Sequence, residues 1–187
     1  KMLCNKDCTV SVHVADLCND EQVLELCRLY GDDVDILINC AGVFPLKSLK
    51  ETSIQEYDEC MKINVRAPFI LCKKISTTMQ DKGWGRIVNV GSSSAYSGSG
   101  ESGLYCTSKH ALLGFTRSLF LELRETGVRV CFLSPGSIQT PMGATDQRQD
   151  YTTFINPNEI ATYLLHSLSY DAEMISDEIK LNRAIIR

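Results

Sequence analysis

Apolar residues in this chain fall into short, nearly unbroken runs, separated by segments in which they recur every three or four positions. The runs Thr9–Val14, Val34–Cys40, Arg86–Val90 and Val128–Leu133 predict strands, and a weaker run at Glu178–Ile186 predicts a fifth. The middle three show little alternation with polar residues, as parallel strands buried on both faces do. Between the runs, helical spacing marks Asp20–Tyr30, with Val23, Leu24 and Cys27 on one face, then a long helix Ser53–Lys82. A third helix, Leu104–Thr126, is closed by Gly127. A fourth runs Asn156–Ser167, where Asn156 can cap and Pro157 suits the first turn. Strand and helix alternate throughout, which predicts an α/β fold with a doubly wound parallel sheet. At 187 residues the chain can hold one full core and not two, so a single domain is expected.

Composition narrows the function classes. Apolar and charged shares of 44% and 22% are those of an ordinary soluble globular protein. No apolar stretch reaches the roughly 20 residues of a membrane helix. The net charge of −4 argues against nucleic acid, which calls for a basic face, so a small molecule is the expected partner. The nine cysteines are odd in number and lack the spacing of a zinc site, so no metal is expected. Several lie in apolar runs, as Cys40 and Cys131 do, which reads as reduced buried thiols in a cytoplasmic protein. The sequence opens at Lys1 in mid-pattern, so a lost start is expected and a targeting signal is not testable.

Tyr105 and Lys109 stand four residues apart near a helix start, on one face and one turn apart. A nearby ammonium favours phenolate and would lower the tyrosine pKa, making the hydroxyl a usable acid or base near neutral pH. Alone, the pair is equally a surface contact. Ser92 lies thirteen residues earlier, just past the strand Arg86–Val90, where ligands gather in open parallel sheets. It could hydrogen-bond the oxygen that Tyr105 protonates, although chemistry alone leaves Ser93 and Ser94 open as well. Asn64 lies four residues before Pro68, whose nitrogen has no hydrogen to give the Asn64 carbonyl. The helix should bend there and free that carbonyl for a water; the plainer reading is a kink that wraps the core.

Asp35-Ile-Leu-Ile-Asn39-Cys40-Ala41-Gly42, Ile63-Asn64-Val65, Ile87-Val88-Asn89-Val90-Gly91-Ser92, Tyr105-x-x-x-Lys109 and Ser134-Pro135-Gly136-Ser137-Ile138-Gln139-Thr140 occur in order. In order and spacing they resemble the short-chain dehydrogenase/reductase family across nearly the whole chain. The resemblance implies an NAD- or NADP-dependent enzyme that moves hydride between the nicotinamide and a carbonyl or alcohol, with 3-oxoacyl reduction as one substrate reading. It implies Tyr105 as proton donor, Ser92 as the group orienting the carbonyl oxygen, and Lys109 as the group that lowers the Tyr105 pKa and binds the nicotinamide ribose. It implies Asn64 as holder of a relay water. Asp16 and Leu17 would contact adenine, Asn39 with Ala41 and Gly42 the adenosine ribose, and Ile138 and Thr140 the carboxamide. A homodimer or homotetramer is implied through the helices Ser53–Lys82 and Leu104–Thr126, the latter apolar on several sides at Leu112, Leu113, Phe115, Leu119, Phe120 and Leu121.

The pattern departs from the family at several points. Its glycine-rich phosphate turn is expected before the strand Thr9–Val14, and nothing there resembles it, so a first βαβ unit is expected to be missing. Thr9–Val14 and Val34–Cys40 would then be left with unpaired apolar edges, and the chain as given is expected to be a poor enzyme. Gly98-Ser-Gly100-Glu-Ser-Gly103 matches G-x-G-x-x-G, but seven residues separate it from Val90, which suits a substrate-side loop better than a phosphate loop. Cys40 replaces a second asparagine, which should weaken a hydrogen bond in the sheet. The lid segment Pro141 to Ile155 is short and should leave the pocket open. An inactive fragment, or a cofactor-sensing or scaffold protein on the same fold, is the alternative function.

Overall fold

The computed structural model describes residues 9–171 and 174–185, so Cys4, Cys8 and the last residue of the run Glu178–Ile186 lie outside the described residues. Four strands form one parallel sheet in the order β1-β2-β3-β4: β1 Ile36–Asn39, β2 Gly85–Val90, β3 Val128–Pro135 and β4 Glu178–Leu181. The register is continuous across the centre, with Ile38 beside Val88 and Val88 beside Cys131. Each helix lies where the spacing of apolar residues puts it, with ends set by local chemistry. Helix α1, Asp20–Tyr30, starts where the Asn19 side chain accepts from the amides of Glu21 and Gln22. Helix α2, Ile54–Met61, starts with a reciprocal Ser53–Glu56 capping box. Helix α3, Ala67–Lys82, stops at Gly83, whose φ of 66° a side chain would resist. Helix α4, Gly103–Leu123, and helix α5, Pro157–Leu168, complete the set, the last capped by Asn156 with Pro157 at its first position.

The sheet is covered on both faces. Ile87, Val128 and Val130 meet Cys72, Ile75 and Met79 of α3 and Leu119 and Leu123 of α4. On the other face Val88, Cys131, Leu133 and Ile179 meet Ile160 and Leu164 of α5. Successive residues of the central strands thus serve opposite layers, which is why these strands read as unbroken apolar runs. No helix among the described residues is long and apolar enough to cross a membrane.

Two expectations are corrected. Thr9–Val14 is not a strand: it makes no ladder with the sheet, and Val10, Val12 and Val14 are exposed. Apolar, β-branched composition favours a strand only where a neighbouring strand supplies hydrogen-bond partners, and β1 pairs with β2 alone, leaving Ile36 and Ile38 partly exposed at the edge. The expected single helix Ser53–Lys82 is interrupted by a wide π-helical turn, Lys62–Arg66, in which the Ala67 amide reaches back to the Lys62 carbonyl. Pro68 cannot donate to Asn64, and the extra residue in the turn absorbs the mismatch. The fifth strand ends at Leu181.

Candidate active site

Strands β1, β2 and β3 end side by side, and the residues that follow them line one cavity of about 780 Å³. Cys40 and Gly42 enter it after β1, Gly91 and Ser92 after β2, and Gly136 and Ser137 after β3. A Cβ on Gly91 would lie 1.9 Å from the ring of Phe132 on the neighbouring strand, so only glycine lets the chain turn into the cavity there. Helix α4 brings Tyr105 and Lys109 to the same space on consecutive turns, both of them buried. The Lys109 ammonium donates to the Val90 carbonyl at 3.0 Å and lies 5.7 Å from the centre of the Tyr105 ring. Phe44 packs edge-on against that ring at 4.7 Å. Ser92, Ser93 and Ser94 all line the cavity, and the Ser92 hydroxyl opposes the upward shift of the Tyr105 pKa. It also accepts the Ser94 amide at 3.1 Å.

Burial dominates the electrostatics. It pushes the Tyr105 phenol above its ordinary value, and Ser92 opposes that shift. It pushes the Lys109 ammonium down to about 8, with the Cys60 and Cys40 thiols opposing. The expected lowering of the tyrosine by Lys109 is therefore corrected. The ammonium is engaged by a main-chain carbonyl, and burial sets the direction of the Tyr105 shift.

Asn64 is fully buried, and its side chain is committed to the scaffold. Its amide donates to the Val43 carbonyl and to Ser108 Oγ, both at 3.0 Å, and its oxygen accepts the Val43 amide at 2.9 Å. Ser108 in turn donates to the Tyr105 carbonyl at 2.8 Å. The loop after β1 is thereby tied to the turn of α4 that carries Tyr105. A Cβ on Gly42 would stand 3.1 Å from Asn64 Oδ1 and 3.7 Å from Lys109 Nζ. The open slot beside a buried ammonium, at the carboxyl ends of parallel strands, fits the nicotinamide-ribose half of a dinucleotide. Ile138 and Thr140 line the same cavity; a hydrogen bond from the Gly143 amide to Thr140 Oγ1 holds the start of the following segment.

The remaining predicted contacts are not brought into the cavity. Asp16 is exposed and bonds within its own turn, to the Cys18 amide at 2.9 Å, and Leu17 stays beside it. Ala41 is exposed away from the lining. The Asn39 side chain points inward, donating to Asn89 Oδ1 at 2.8 Å, and Asn89 donates to Thr116 Oγ1 at 2.9 Å. The cross-strand bond at this place is made by Asn39, while Cys40 faces the cavity. Ser99 and Ser102 of the 98–103 loop line the cavity on the side where Arg148 reaches the Gly100 carbonyl, the position of a substrate-side loop. Sequence reasoning passed over Phe44, Ser108, Asn89 and the lining arginines Arg148 and Arg183. Ser108, polar inside an apolar helix and between Tyr105 and Lys109, was the one with a visible signal. Among the described residues no group of three His, Cys, Asp or Glu side chains could hold a metal ion.

Residues 4–151 match the family model described as short chain dehydrogenase. The chain is 41% identical over 107 residues to an uncharacterized oxidoreductase of Thermotoga maritima, a match covering 57% of this chain and 43% of that protein. It is 33% identical over 157 residues to a 3-oxoacyl-[acyl-carrier-protein] reductase of Aquifex aeolicus, covering 79% and 63%. It thus spans less than two thirds of the length of either relative. A solved structure of a putative NAD(P) dependent gluconate 5-dehydrogenase from Beutenbergia cavernae, with bound NADP, superposes with a TM-score of 0.82 at 27% identity, over 90% of this chain and 73% of that one.

Proposed function

The chain belongs to the short-chain dehydrogenase family of NAD(P)-dependent oxidoreductases, and we propose that its chemistry is hydride transfer between NAD or NADP and a carbonyl or alcohol substrate, with 3-oxo compounds as the substrate class. The observation that carries this reading is the convergence of Ser92, Tyr105 and Lys109 on one cavity at the ends of three parallel strands. When bound, the reduced nicotinamide supplies the hydride. In reduction the Tyr105 phenol gives its proton to the carbonyl oxygen, and the Ser92 hydroxyl donates to the same oxygen. The raised Tyr105 pKa keeps the phenol protonated near neutral pH, the form a proton donor needs. Lys109 would bind the ribose and, with a water on the Asn64 main-chain carbonyl, return a proton to the phenolate. Gly42, Ile138 and Thr140 would border the nicotinamide end. Asp16, Leu17 and Ala41 remain the expected contacts of the adenosine end, while the Asn39 side chain is committed to Asn89.

Replacing Tyr105 with Phe tests the reading. NAD(P)H-dependent turnover should fall by about 10²–10⁴, while the cofactor still raises the melting midpoint by mass action. Wild-type turnover in Tyr105→Phe would sink it. Turnover absent from both proteins, with the cofactor bound, would favour an inactive fragment or a sensing or scaffold role.

The same reading includes one domain, a homodimer or homotetramer, and a cytoplasmic setting. Phe69 on α3 and Leu121 on α4 are exposed apolar side chains on the two helices expected to pair. The seven described cysteines are all free, which suits a reducing compartment.

A further inference from the structure

The cavity lining that holds Tyr105 also contains two arginines in different electrical states. Arg148 is neutralised. Its Nε donates to Asp146 Oδ1 at 2.7 Å, its Nη2 to Asp146 Oδ2 at 3.0 Å, and its Nη1 reaches Glu101 Oε2 at 3.3 Å. The guanidinium in return holds the Asp146 carboxyl well below the usual carboxylate range.

Arg183 makes no salt bridge among the described residues, although the Asp150 carboxylate feels its charge. Its Nη2 donates to the Gln149 side-chain oxygen at 2.7 Å and its Nη1 to Thr153 Oγ1 at 3.1 Å, both uncharged acceptors. Its guanidinium carbon lies 5.1 Å from the centre of the Phe154 ring. Gln149 is itself fixed, donating to Asp146 Oδ2 at 2.8 Å and accepting from Ser137 Oγ at 3.1 Å. Among the described residues Arg183 has no ion pair. The side chain is half-buried and lines the cavity. A guanidinium positioned by neutral groups keeps its charge and its remaining N–H donors for a ligand, and its planar fork matches an oxyanion. With Lys109, Arg148 and Arg183 against Asp146, the titratable lining carries a positive excess.

We infer that Arg183 recognises an oxyanion on the substrate, a carboxylate or a phosphate, so that the protein acts on an anionic carbonyl compound, such as a free oxo acid, in preference to a neutral ketone or ester. This rests on the reading above for the place where the carbonyl reacts. The anion site itself stands on the contacts of Arg183.

Calorimetric titration with NAD+ and NADP+ present, which blocks reduction of the ketone, tests it directly. Acetoacetate is compared with its uncharged methyl ester and with hydroxyacetone phosphate. The wild type should bind one or both anions about tenfold to hundredfold more tightly than the ester, and raising the salt should erode that preference. Arg183→Gln should remove the preference and leave ester affinity unchanged, while Arg183→Lys should keep part of it. Tighter binding of acetoacetate assigns a carboxylate, and tighter binding of hydroxyacetone phosphate a phosphate. Equal affinity for ester and anions in the wild type, no binding of either anion, or a preference that survives in Arg183→Gln would each overturn the proposal. So would an equal loss of cofactor affinity in Arg183→Gln, which would give the residue to the dinucleotide instead. Should Arg183→Gln fail to fold, the wild-type comparison and its salt dependence still decide. The oxidoreductase reading fails separately, through Tyr105→Phe, and leaves these affinities unchanged.

Discussion

Asn64 and Ser108, 44 positions apart in sequence, share a buried hydrogen bond of 3.0 Å that joins the π-helical turn to the helix carrying Tyr105. Removing Asn64 also strands the Val43 amide and carbonyl, whereas removing Ser108 leaves the Asn64 amide two other acceptors. Asn64→Ala should therefore cost about 2–3 kcal/mol and Ser108→Ala about 1 kcal/mol. The double variant should lose less than the sum, since both break one network. Urea unfolding of the four proteins measures the coupling, and strict additivity would refute the link.

Asn39 offers a choice between two roles. Its side chain is 7% exposed and bonded to Asn89, so Asn39→Ala leaves the Asn89 oxygen without that donor inside the sheet. Stability should drop by about 1–3 kcal/mol, with cofactor affinity changed little once the variant is folded. Denaturant midpoints and the cofactor-induced rise in melting temperature separate the effects. A large loss of affinity at unchanged stability would restore Asn39 to the ribose.

How much the sequence disclosed depends on the kind of contact involved. β2 and β3 were legible because burial on both faces leaves an unbroken apolar run, and α1 because Val23, Leu24 and Cys27 recur at helical spacing. The convergence of Tyr105, Lys109 and Ser92 on one cavity was legible because their spacing is local to one strand, one loop and one helix. Thr9–Val14 misled, since strand formation depends on a neighbour that composition does not reveal. Asn39 to Asn89 and Arg183 to Gln149 join residues 50 and 34 positions apart. No periodicity encodes such contacts. The pKa of Tyr105 was misjudged for the same reason, because the size of a desolvation penalty depends on the packing around the phenol.

Gly91 precedes Ser92 and leaves no room for a methyl group against Phe132. Gly91→Ala should destabilise the fold by about 2–3 kcal/mol, as an overpacked core does. Phe132→Leu added to it should recover part of the loss, although the same change alone in the wild type is destabilising. Thermal or urea unfolding of the three variants checks the sign, and a double variant worse than both singles would exclude the clash as the cause.

Cys40 is exposed at the cavity edge, whereas Cys72 is fully buried, its thiol pushed up to about 12 by burial. Iodoacetamide should label Cys40 well before Cys72. NAD or NADP should slow labelling at Cys40 and not at the partly exposed Cys18 and Cys27, which do not line the cavity. Peptide mapping over a time course reads both effects. Labelling at Cys40 that ignores saturating cofactor would place the nucleotide elsewhere.

Lys109 makes stability depend on pH in a direction opposite to that of a paired lysine. Burial lowers it from 10.5 to about 8, so between those values the unfolded chain holds a proton that the folded chain has released. Below about pH 8 the fold must carry a buried ammonium, and the penalty is relieved as the pH climbs toward the unfolded value. Lys109→Met removes the titration but keeps most of the volume. The stability difference between wild type and Lys109→Met should therefore shift toward the wild type between about pH 7.5 and about pH 10, by no more than about 3 kcal/mol. Taking the difference cancels the ionisation of cysteines and tyrosines common to both proteins. Denaturant unfolding across that range measures it. A flat difference would mean that the ammonium is solvated in the folded chain, and a shift toward the variant would mean that a partner raises its pKa instead.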